Sequence, residues 1–130
     1  MQEFVVNTIQ SGEEGDYLWV GLQFESPISV DDRLQIQCGM FADEQERRLG
    51  MDKIYLERLD QIQAGYGAAS SIVVTADAIQ FDFTPEGQRQ LGFTSTLRML
   101  WAPSLDGYEQ ARENLAKMQT YEWGRIIRIE

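Results

Sequence analysis

The chain has 130 residues, 43% of them apolar and 25% charged, enough for one ordinary domain with a buried core and too apolar for wholesale disorder. Acidic residues outnumber basic ones 21 to 11, a net charge of −10, which disfavours nucleic acid and anionic membranes and favours basic partners. The imbalance is concentrated in residues 1–50, where 10 acids face 3 bases, and this sharpens the expectation of a basic protein partner.

In chain order, residues 3–10 (EFVVNTIQ) form the first expected strand, and Ser11 to Gly15 reads as a turn. Tyr17 to Phe24 alternates cleanly: Leu18, Val20, Leu22 and Phe24 point one way, Tyr17, Trp19, Gly21 and Gln23 the other. That period of two marks a half-buried antiparallel strand. Trp19 is then either a second packing layer or an exposed contact. Residues 34–38 alternate again, and residues 43–49 (DEQERRL) are helix-forming, stopped by Gly50. From Met51 to Leu59 a strand is expected, with Ile54 and Leu56 inward and Met51 and Leu59 as further apolar positions. Lys53, Tyr55 and Glu57 lie on its other face.

The stretch 63–71 (QAGYGAASS) places two glycines around an aromatic. A phosphate-binding loop would run into a helix, with Lys following in the P-loop case. Here the chain turns into Ile72-Val73-Val74-Thr75, so the stretch reads as a connection between strands, Gly65 and Gly67 serving backbone geometry. Tyr66 either packs inward to fix that turn, which is preferred, or projects toward a partner.

Residues 71–75 and 79–83 read as a hairpin through Asp77-Ala78. Thr84-Pro85-Glu86 starts a short helix that Leu91-Gly92 closes. Thr94 to Trp101 is a further strand, with Leu97, Met99 and Trp101 on one face. Asp106 and Glu109 suggest a capping box for a last helix, whose Tyr108, Ala111, Leu115 and Met118 fall on one stripe. Residues 124–129 add a final strand. The expected fold is α+β: a mainly antiparallel sheet with two or three helices, the C-terminal helix packed on one face. No repeat, low-complexity tract or linker divides the chain, so residues 1–130 are read as one domain.

Chemistry has little to work with. There is no histidine, which removes imidazole bases and the Ser-His and Cys-His nucleophile pairs. One cysteine, Cys38, excludes an internal disulfide and a Cys/His zinc site; it sits in an alternating apolar stretch and is expected as a buried, inert thiol. No window nears the roughly 18 apolar residues of a membrane span, and Met1-Gln2-Glu3-Phe4 lacks the regions of a signal peptide. A cytoplasmic location is therefore expected. The paired acids Asp31-Asp32, Asp43-Glu44 with Glu46, and Glu13-Glu14 with Asp16 fit no calcium-loop spacing, so no cofactor and no metal is expected. A carboxylate-dependent hydrolase ranks last among the functions considered.

Leu49-Gly50-Met51-Asp52, Tyr55, Glu57, Gly65-Tyr66-Gly67, a hairpin, Thr84-Pro85-Glu86 and Leu91-Gly92 occur in an order that resembles the immunity protein 10 family of bacterial polymorphic toxin systems, over roughly residues 40–118. The resemblance implies a small α+β protein that is not an enzyme: an antitoxin that binds and neutralises one cognate protein toxin. The acidity suits a basic partner such as a nuclease toxin. The contact residues expected are Asp31, Asp32, Asp43, Glu44 and Glu46, with Tyr55 and Tyr66 as aromatic anchors. The alternative is a homo-oligomeric structural or phage-related accessory domain.

Overall fold

The first strand, β1 (Gln2–Glu14), belongs to two halves of one sheet. Residues 2–5 pair parallel with β8 (Thr96–Leu100), and residues 6–14 pair antiparallel with β2 (Tyr17–Phe24), with a register shift between Val6 and Thr8. The computed structural model describes residues 1–41, 43–50 and 53–130, and only the backbone of Asp60 and Gln61. Met51 and Asp52, and the strand start expected at Met51, lie outside the described residues.

From β2 the sheet continues through β3 (Asp32–Gly39) and β4 (Tyr55–Arg58) to β5 (Asp60–Tyr66). From β8 it continues through β7 (Ala78–Phe83) and β6 (Ala69–Val74) to β9 (Ile127–Ile129). Among the described residues this is one nine-stranded sheet in the order β5-β4-β3-β2-β1-β8-β7-β6-β9. The β1–β8 and β6–β9 pairs are parallel and the rest antiparallel. The expected α+β class, with its mainly antiparallel sheet, is what the structure shows.

The chain passes from β5 to β6 through Gly67 and Ala68 alone. In a flat sheet of this order those strands would stand roughly 34 Å apart at the usual spacing, whereas three Cα steps span at most about 11 Å. The sheet must therefore curl until its two halves face each other. Gly67 makes the link at φ 68°, donating its N–H to Ile54 O at 2.9 Å, while Thr84 N reaches Ala68 O at 2.9 Å. The strand connection expected over 63–71 is thus only two residues long. Gln63–Tyr66 are in β5 and Ala69–Ser71 in β6. Gly65 has an ordinary strand conformation, and its missing Cβ makes room for the Gln90 side chain.

One buried cluster fills the space between the halves, including Leu18, Val20, Ile36, Leu56, Ile72, Phe81 and Leu97. Phenylalanine rings bridge it: Phe24–Phe93 at 6.4 Å and Phe83–Phe93 at 5.6 Å between centroids. Among the described residues three α-helices complete the fold: α1 (Glu44–Arg48), α2 (Pro85–Leu91) and α3 (Tyr108–Gln119). α2 packs on β5 and β7 and has the expected Thr84 N-cap, Pro at its start and Gly92 at its end. α3 packs on β1, β2 and β9, burying Tyr108, Ala111, Leu115 and Met118 as the stripe predicted.

Several boundaries differ from expectation. β1 runs on to Glu14, because Glu14 pairs with Tyr17 and leaves only Gly15 and Asp16 as the hairpin turn. α3 has no capping box: its N-cap is Gly107 at φ 86°, with no side-chain cap. A Cβ there would crowd Ile9 O at 2.9 Å, so the helix start is set by close approach to β1 rather than by Asp106.

Candidate functional site

The inward period of the sheet decides which predicted contact residues reach solvent. In β3, Leu34, Ile36 and Cys38 are buried, and Asp32 continues the same parity. In β4, Leu56 is buried and Arg58 follows it two residues on. Asp32 and Arg58 therefore meet inside, with Arg58 Nη2 at 2.7 Å from Asp32 Oδ2. The placement of Asp32 in a solvent-facing contact set is corrected by this burial. Burial by itself would raise its pKa, but hydrogen bonds from Arg58 and Ser26 and the guanidinium charge outweigh it and hold the carboxyl below its ordinary value.

Asp31 is exposed and accepts from Gln23 Nε2 at 3.2 Å. It stands at the opposite end of β3 from α1, roughly 25 Å away along the strand, and so apart from Asp43, Glu44 and Glu46. On α1, Asp43 and Glu46 form a reciprocal cap: Asp43 Oδ1 accepts from Glu46 N at 2.8 Å, and Glu46 Oε1 from Asp43 N at 3.3 Å. Glu44 pairs with Arg48 at 2.7 Å on an exposed face, an interaction worth only a few tenths of a kcal/mol, about 0.3–0.5. A five-residue helix needs such local support, since it buries none of its own residues.

Glu46, Tyr55 and Tyr66 do come together. Tyr55 in β4 is opposite Tyr66 in β5, and their rings meet at 4.8 Å between centroids, tilted by 48°. Gln37 of β3 pairs beside Tyr55, and Tyr17 of β2 pairs beside Gly39. With α1 above them, these side chains enclose a cavity of about 190 Å³ whose walls include Tyr17, Phe41, Glu46, Tyr55 and Tyr66. Trp123, from the 3₁₀ turn Glu122–Gly124, closes another side and donates its indole N–H to Gly39 O. Tyr66 packs against Tyr55 yet stays 41% exposed, so it is not the inward-packed residue preferred from sequence. Phe41 and Leu49 beside it are also exposed.

Acidic side chains outnumber basic ones around this cavity, where Asp16 and Glu46 stand with Lys53 in its lining. Tyr17 OH donates to Glu14 at 3.0 Å, and Tyr55 OH donates to Glu57 at 3.0 Å. The Glu14 hydrogen bond, then burial, then the charges of Glu14, Asp16 and Glu57 raise the Tyr17 pKa. Burial and the Glu57 hydrogen bond push Tyr55 up to about 12. Burial, with the charge of Glu46, raises Tyr66. All three phenols keep their protons at neutral pH.

Sequence reasoning missed Tyr17, Phe41, Glu57 and Trp123 as members of this site. For Tyr17 and Glu57 the signal is present, since the alternation puts both on the face opposite the apolar residues of their strands; only the strand pairing is lacking. Trp19, also on that face, lies across Gly12 and is half-buried, a packing residue. Cys38 is fully buried on the inner face, and burial pushes its thiol up to about 12. Among the described residues no three acidic or thiol side chains converge to hold a metal ion, and no helix is long and apolar enough to cross a membrane.

A family model described as Immunity protein 10 matches residues 5–106. The match starts earlier than the likeness seen over residues 40–118 and ends before α3. It takes in every wall of the 190 Å³ cavity except Trp123. No curated protein and no solved structure matches the chain.

Proposed function

We propose, because the chain belongs to the Immunity protein 10 family, that it is the non-enzymatic antitoxin of a polymorphic toxin system. In the cytoplasm it binds one cognate protein toxin and holds it inactive. The observation that carries this reading is the outer face of β2–β5 with α1, where exposed aromatic side chains stand among acidic ones. Faces of that make-up suit protein partners, with aromatics as anchors and charge as steering.

A toxin with a basic surface, such as a nuclease, is the partner class that a net charge of −10 favours. Glu46, Tyr55 and Tyr66 form the contact centre, Asp43 and Glu44 flank it on α1, and Asp31 lies outside it. Neutralisation proceeds by occlusion: the bound chain covers the toxin's active site or the surface next to it.

Co-expression tests this. The toxin domain encoded beside the gene for this chain should arrest growth alone, and equal expression of the chain should restore it. Continued arrest, with both proteins soluble and folded, would refute the antitoxin role.

A further inference from the structure

We propose that the cavity between α1, Tyr17, Tyr55, Tyr66 and Trp123 is a subsite for one arginine or lysine side chain of the bound toxin, which rests on the antitoxin reading above. Size is the first argument. About 190 Å³ falls below the roughly 300–1,000 Å³ of small-molecule sites, yet it accommodates a single long side chain. The walls are the second. Tyr55 and Tyr66 pack together in the lining of the cavity, and aromatic rings attract cations.

Charge complementarity is the third argument. Asp16 and Glu46 line the cavity, while Glu14 and Glu57 hold the hydroxyls of Tyr17 and Tyr55. Because those hydroxyls donate to carboxylates, their oxygens keep lone pairs as acceptors, which a guanidinium with five N–H donors can use. Lys53 also lines the cavity, but its stem lies along Gly67, and one ammonium stands against four carboxylates.

The full chain can be titrated with N-acetyl-arginine amide and, in parallel, with its neutral isostere N-acetyl-citrulline amide, followed by NMR. The arginine compound should give saturable shifts at the Trp123 indole and the Tyr55 and Tyr66 rings, and citrulline none. Tyr66→Leu should abolish the shifts and Glu46→Gln weaken them several-fold, with the rest of each variant's spectrum still that of the folded chain. Equal shifts from citrulline, or arginine shifts confined to other residues, would overturn the subsite. Against the toxin itself, Tyr66→Leu should lower affinity about tenfold. Wild-type affinity in that variant would remove the subsite and leave the antitoxin role standing. Failure of the wild-type chain to bind any toxin would remove that role, and the arginine titration would still decide the subsite.

Discussion

Arg58 and Asp32, 26 residues apart, form a buried bidentate pair whose cation also ties down a helix end. Arg58 Nη2 lies 2.7 Å from Asp32 Oδ2 and Nε 3.3 Å from Oδ1, while Nη1 donates to Leu91 O at 2.9 Å and Gly92 O at 3.2 Å. Its guanidinium also covers the Phe93 ring at 3.9 Å. One side chain thus joins β3, β4 and the end of α2, and holds α2 against the curled sheet.

Removing either partner leaves a buried charge uncompensated, a loss of about 3–5 kcal/mol. Arg58→Met should cost more than Asp32→Asn, since it also strips the Leu91 and Gly92 carbonyls of their donor. Urea denaturation of both variants measures the difference; equal midpoints to wild type would show that the pair contributes nothing.

The acid limb of the stability curve follows from the lowered Asp32 pKa. The unfolded carboxyl titrates near about 3.9 and the folded one below it. The stabilisation is therefore complete above about pH 4 and is lost as pH falls further. Asp32→Asn, already lacking it, should show a flatter decline between about pH 4 and pH 2 than wild type.

The two glycines around Tyr66 should respond differently to alanine. At Gly67 the backbone sits at φ 68°, so Gly67→Ala should cost about 1–2 kcal/mol in left-handed strain. At Gly65 the obstacle is only the end of the Gln90 side chain, which can swing aside, so Gly65→Ala should cost under about 1 kcal/mol. Thermal melts of the two variants check the order.

Cys38 is fully buried, with burial pushing its thiol up to about 12. Iodoacetamide at pH 8 should leave it untouched in the native chain and label it fully in denaturant. Labelling of the folded protein at the rate of a free thiol would contradict its placement on the inner face of β3.

Most strands and both longer helices were legible in the sequence because their signals are local. Alternation marked β2, β3 and β7, and Thr84-Pro85 with Gly92 marked α2. The same alternation already put Asp32 in phase with Leu34 and Arg58 in phase with Leu56. Polarity argued against burial, and only the opposite charge meeting it across the sheet removes that objection. The strand β5 was hidden because the sequence of residues 60–63 (DQIQ) is mostly polar, and the strand packs on α2. The cavity was illegible for another reason: it joins β2, β3, β4, β5, α1 and Trp123, and that assembly depends on strand order and sheet curl, which no local pattern encodes.

Calorimetric titration of the purified chain into a catalytically inactive form of the neighbouring toxin domain tests the antitoxin claim most directly. One-to-one binding is predicted, weaker at high salt, with Glu46→Gln reducing that salt dependence. No heat of binding at micromolar concentrations of both folded proteins would contradict it.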